Sequence, residues 1–97
     1  MTDITASELK ERLDKNEDLN LIDVREQWEF DVKNIGAKLI PLGTLPQKVS
    51  ELEDLKNEEV IVHCKSGGRS AQAQAFLKQQ GFSNVRNLIG GIEGYLE

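Results

Sequence analysis

The chain is short of the residues that most proteins use for cross-links, metals and membranes. It has one cysteine, one histidine, one tryptophan and two prolines among 97 residues. A lone cysteine excludes an internal disulfide, and one cysteine with one histidine is too few for a structural zinc site. Stability must therefore come from packing. The first fifteen residues mix acids and bases with no apolar segment, and nothing approaches the roughly 18 apolar residues a membrane span needs. The reading is a cytoplasmic protein without a membrane partner. Neither G-x-x-x-x-G-K-[ST] nor G-x-G-x-x-G occurs, so nucleotide binding has no support. A net charge of −5 argues against nucleic acid. Acids are also missing from one stretch: Val60 to Ile92 holds no Asp or Glu but contains Lys65, Arg69, Lys78 and Arg86. That stretch reads as locally positive, a setting for a small anionic substrate.

The cysteine lies within it, in Cys64-Lys65-Ser66-Gly67-Gly68-Arg69-Ser70. A β-branched run, Val60-Ile61-Val62-His63, leads in, and strong helix formers from Ala71 to Lys78 lead out. This places the thiol in a strand-to-helix turn, where unpaired N–H groups and the helix dipole favour an anion and acidify a thiol. No proline interrupts Lys65 to Ser70, so all six residues can turn an N–H towards the sulfur. Gly67-Gly68 permits the positive φ of a tightly curled loop, and Lys65 and Arg69 add two cations.

The flanking chain alternates helices and strands. Thr5-Ala6-Ser7-Glu8 has capping-box spacing, and Leu9 and Leu13 recur at helical spacing after it. Leu19 to Val24 reads as a buried strand with Asp23 and Arg25 at its C-terminal end, the edge at which open α/β sheets bind ligands. A brief helix over Arg25 to Phe30 follows. Lys38 to Pro41 reads as a short strand, and about Gln47 to Leu55 as a helix with Val49, Leu52 and Leu55 facing inward. A helix after the cysteine runs to Gln80, stopped by Gly81. A last strand, Asn84 to Leu88, leads into Gly90-Gly91 and a terminal helical stretch. The pattern predicts one α/β domain over residues 1–97, with a mostly parallel sheet of about five strands and helices on both faces.

Three blocks together resemble the single-domain rhodaneses, a family of sulfurtransferases. Leu21-Ile22-Asp23-Val24-Arg25-Glu26 with Glu29-Phe30 is similar to the family's D-V-R-E block. Cys64 to Ser70 is similar to its six-residue loop C-x-x-G-x-R-[ST], and Val85-Arg86-Asn87-Leu88 with Gly90-Gly91 to its closing segment. Lys33-Asn34-Ile35-Gly36-Ala37 departs from the family's G-H-I-x-G-A, and Tyr95 stands where Trp is common. The resemblance implies that Cys64 carries sulfur as a persulfide, cradled by Lys65, Ser66, Gly67, Gly68, Arg69 and Ser70, with Lys65 meeting an anionic donor such as thiosulfate. It implies that Asp23 and Arg25 support the site. A thiol, cyanide or the cysteine of a sulfur-carrier protein would accept the sulfur, and the transfer would need no metal or organic cofactor. Arg69 would either order the loop by bonding its carbonyls or meet the donor. Some two-domain relatives carry a substrate-binding Arg at the position of Glu29, so that role is not carried over.

Plainer readings stand beside these. Ser70 serves equally as a helix cap, and His63, adjacent to Cys64 in a strand, points to the other face and reads as structural. Asp23 and Arg25 could be only an ion pair. Trp28, Phe30, Phe76 and Phe82 read as core. Two rival functions remain: a cysteine-based phosphatase, which the four residues between Cys64 and Arg69 disfavour because its signature has five, and a non-enzymatic binding module of the same fold.

Overall fold

The apolar runs form a sheet whose alternate residues bury on opposite sides. The structure, a computed structural model, describes residues 2–97. Strands β1 (Asn20–Asp23), β2 (Lys38–Leu39), β3 (Glu59–His63) and β4 (Asn84–Asn87) lie in the order β2-β1-β3-β4, all parallel. The sheet has four strands, not the five expected. Among the described residues before helix α1 (Ala6–Asp14), Ile4 makes an isolated parallel bridge to Leu88, just beyond the end of β4.

Helices cover both faces, as the alternation predicts. Ile22, Val60, Val62 and Val85 pack under α3 (Leu45–Lys48), the 3-10 turn Val49–Leu55 and α4 (Gly68–Gln79), against Leu45, Leu52, Ala73 and Leu77. Leu21 and Ile61 face the other way, towards Ile4, Leu9 and Leu88, with Tyr95 of α5 (Gly91–Tyr95) at the edge. The expected helix from Gln47 to Leu55 is mostly 3-10. Its apolar residues recur every three positions, which stacks Val49, Leu52 and Leu55 on one line in a three-residue turn; Leu52 is buried and the other two pack beside it. Gly81 ends α4 at φ +97°.

Thr5 caps α1 by accepting from the Glu8 amide at 3.1 Å, which is half of the expected capping box. The Glu8 carboxylate accepts from Arg86 at 2.9 and 3.0 Å instead. Arg86 also bonds Glu59, which Arg12 grips at 2.6 and 2.8 Å, so a charged network ties α1 to the N-terminal end of β3 and to β4. Trp28 is a second correction. It is 69 % exposed, because Glu29 takes the inward position of α2 (Gln27–Val32) and the preceding residue is turned about 100° away. Phe82 is buried; Phe30 and Phe76 are half-buried. Among the described residues, no helix is long and apolar enough to cross a membrane, and no group of three or more metal-ligating acids, histidines or cysteines forms a site.

Candidate active site

Strand β3 carries Cys64 out at its C-terminal end, and the chain turns at once into α4. The turn works because Gly67, at φ +117°, is the left-handed N-cap of α4. The sulfur lies in the mouth of that turn. Gly67 N–H donates to Sγ at 3.1 Å, Ser70 N–H at 3.3 Å, and the Ser70 hydroxyl lies 3.3 Å away. Of the six loop amides expected to face the sulfur, these two are within clear hydrogen-bond distance. Burial alone would push the thiol up. The Ser70 hydroxyl and the Ser70, Gly67 and Ser66 amides outweigh it, so the Cys64 pKa lies below its ordinary value. Replacing Ser70 with alanine is accordingly expected to raise that pKa, moving the onset of alkylation to higher pH. The pH dependence of iodoacetamide alkylation reads it directly, and an unchanged profile would contradict the assignment.

Of the loop's two cations, Arg69 is not free as the charge pattern had implied. Arg69 gives both guanidinium nitrogens to Glu29, at 2.7 and 2.9 Å. Chiefly through this fork, the Glu29 carboxyl falls to about 2, despite the opposing effect of its burial. Among the described residues Arg69 makes no hydrogen bond to the loop carbonyls; its fork staples the start of α4 to α2. Arg86, the other arginine of the acid-free stretch, is engaged by Glu8 and Glu59. Lys65 and Ser66 are exposed at the rim, and Gly68 is exposed at the start of the helix.

Asp23 and Arg25 form a buried pair below the loop. Arg25 bonds both Asp23 oxygens, at 2.8 to 3.1 Å, and reaches the Lys33 carbonyl at 2.8 Å and the Glu29 carbonyl at 3.5 Å. The pair therefore fixes α2, which holds Glu29, which holds Arg69. His63 turns its Nδ1 to the Cys64 carbonyl at 3.4 Å and its Nε2 to Asp23 at 3.6 Å. Burial pushes its pKa below the ordinary value, in keeping with a structural histidine.

Three contributors escaped the sequence reading. Glu29 was visible as part of Glu-Phe, but not as the partner of Arg69. Asn87 accepts from the Ser70 hydroxyl at 2.6 Å and donates to the Gly67 carbonyl at 3.2 Å. The start of α5 clamps the loop from behind: Ile92 N–H donates to the Cys64 carbonyl at 2.9 Å and Glu93 N–H to the Lys65 carbonyl at 3.1 Å. The signal for Asn87 was its place in the Asn-Leu-x-Gly-Gly segment, which Ile92 and Glu93 directly follow. Beside the loop runs a shallow groove of about 240 Å³, bounded in part by Trp28, Val32, Lys65, Ile92 and Leu96. A larger hollow of about 410 Å³, between β1, β2 and the 3-10 turn, does not touch the loop.

The comparisons agree with this geometry. The family profile described as rhodanese-like domain matches residues 5–97. A sulfurtransferase of Allochromatium vinosum is 39 % identical over 93 residues, covering 95 % of this chain and 85 % of that protein. The putative sulfur carrier protein YrkF of Bacillus subtilis is 36 % identical over 94 residues, and there the chain spans only 50 % of the relative's length. In structure, SSP1007 of Staphylococcus saprophyticus matches with a TM-score of 0.86 at 38 % identity, covering 98 % of this chain and 93 % of that one. Sequence blocks, sheet order and loop converge with these likenesses, and the chain belongs to the rhodanese-like family, which includes proteins named sulfurtransferases.

Proposed function

We propose that this chain moves a sulfane sulfur from a small anionic donor to a thiophilic acceptor through a persulfide on Cys64. The observation that carries the reading is the sulfur itself, set at a strand-to-helix junction and facing two backbone amides and a hydroxyl. After the thiol proton leaves to solvent, the thiolate attacks the outer sulfur of thiosulfate or of an organic persulfide. The new S–S bond forms as the old one breaks, and the bonding pair leaves with sulfite or a thiolate. The negative charge now sits on the added sulfur, where preorganised N–H groups stabilise it as an oxyanion hole would. Cyanide, a thiolate or a protein cysteine then takes that sulfur and returns Cys64 as thiolate.

Charge at the site favours this reading over phosphate chemistry. A phosphatase of the cysteine type needs an arginine on its dianion; here Arg69 is held by Glu29. Lys65, exposed at the rim, is the residue proposed to meet the donor, and Asp23 with Arg25 supports the scaffold. The name of YrkF supports a carrier protein as one acceptor, and a cytoplasmic setting is part of the same proposal.

The test is a steady-state assay with thiosulfate or glutathione persulfide as donor and cyanide as acceptor. Cys64→Ser is expected to reduce thiocyanate formation at least about a thousandfold, as for other removed nucleophiles. Transfer at the wild-type rate in that variant, or Cys64-dependent hydrolysis of an aryl phosphate in place of transfer, would overturn the reading.

A further inference from the structure

Ser70 has one hydroxyl proton and three acceptors within reach. Asn87 Oδ1 lies 2.6 Å away, the Gly67 carbonyl 3.2 Å and Cys64 Sγ 3.3 Å. The Gly67 carbonyl already accepts from Ala71 N–H at 3.0 Å and from Asn87 Nδ2 at 3.2 Å. Among the described residues, Asn87 Oδ1 accepts only from Ser70. Because Nδ2 is committed to Gly67, turning the amide over would set Oδ1 against a carbonyl oxygen. The orientation of Asn87 is thereby fixed, with an acceptor aimed at Ser70.

We propose that Asn87 is a positioning residue that competes with the Cys64 sulfur for the Ser70 proton and thereby sets how readily the thiol ionises. In the resting thiol the proton lies on Asn87 Oδ1, and a Ser70 lone pair accepts from the Cys64 S–H. When Cys64 ionises, the hydroxyl turns its proton to the thiolate and Oδ1 loses its only donor. The loss of that bond opposes ionisation. When a persulfide forms, the charge moves to the outer sulfur, the inner sulfur no longer needs a donor, and the hydroxyl returns to Asn87. The exchange moves one proton within a hydroxyl rotor and requires no other reactant.

Other charged groups nearby do not take part in it. Arg69 is held by Glu29, Arg25 by Asp23, and His63 faces the Cys64 carbonyl and Asp23. Lys65 is exposed. Asp3 touches Asn87 only at the backbone N–H, at 3.1 Å, and otherwise bonds Gln74.

The bearing of this device on turnover rests on the reading of Cys64 as sulfur carrier, but the device itself is read by alkylation, whether or not sulfur is transferred. The experiment follows iodoacetamide reactivity against pH in the wild type, Asn87→Leu, Asn87→Ala, Ser70→Ala and the two double variants, with far-UV circular dichroism as the check on folding. Leucine is close to asparagine in shape and lacks the acceptor; alanine provides a second variant should leucine not fold. Removing Oδ1 leaves the Ser70 proton uncontested, so the Cys64 pKa is expected to fall by about half to one pH unit, speeding alkylation below it about three- to tenfold. In the Ser70→Ala background the same substitutions are expected to change nothing. A rise in pKa on removing Asn87, no change, or an equal shift with and without Ser70 would overturn the proposal, because a merely structural role does not depend on that hydroxyl.

Discussion

Replacing Gly91 with alanine is expected to damage both stability and transfer. A Cβ on Gly91 would sit 2.3 Å from the Lys65 carbonyl oxygen and 2.7 Å from that of Cys64, with φ at +60°. Left-handed backbone and overpacking together cost about 2–5 kcal/mol. The atoms in the way are backbone, so they yield only by moving the loop. Those same carbonyls accept from Ile92 and Glu93, and a displacement near 1 Å is enough to cost about a hundredfold in rate. Gly90→Ala is the control: its φ is +80°, but its Cβ meets only the Gly94 Cα, at 3.6 Å. It should lose about 1–2 kcal/mol from backbone strain and keep most of its activity. Urea unfolding and the transfer assay measure both, and equal losses in the two variants would show that close approach to the loop is unimportant.

The second large effect is expected at Arg25. Asp23 is fully buried and Arg25 is 5 % exposed, so Arg25→Ala strands a carboxylate in the interior. Breaking such a pair costs about 3–5 kcal/mol, whereas replacing both partners by apolar residues of similar size is often far milder. The carbonyls of Glu29 in α2 and of Lys33 just past its end each lose the Arg25 donor as well. Denaturant unfolding should therefore place Arg25→Ala well below the Asp23→Leu/Arg25→Met double variant. If the single variant matches the wild type, the pair does not hold α2.

What the sequence revealed divides along physical lines. Cys64 at a strand-to-helix turn was legible because local composition determines it: a β-branched run, two glycines, then helix formers. The opposed burial of Ile22 and Leu21, or of Val62 and Ile61, followed from the two-residue period of a strand. Pairings between distant segments were not legible. The stretch from Val60 to Ile92 has no acids, yet Glu29, Glu8 and Glu59 arrive from elsewhere and neutralise Arg69 and Arg86. Trp28 misled for a related reason: hydrophobicity favoured the core, but the inward place on a six-residue helix was taken by the partner of Arg69. Asn87 and Gly91 matter through contacts made 17 or more residues away from their own segment, which periodicity does not encode.

The central claim is that Cys64 carries sulfur. The direct measurement is the intact mass of the protein after incubation with thiosulfate, and separately with an organic persulfide, followed by removal of excess donor. The account predicts a gain of one sulfur atom that cyanide reverses and that Cys64→Ala lacks. No gain with either donor, or the same gain in Cys64→Ala, would contradict it.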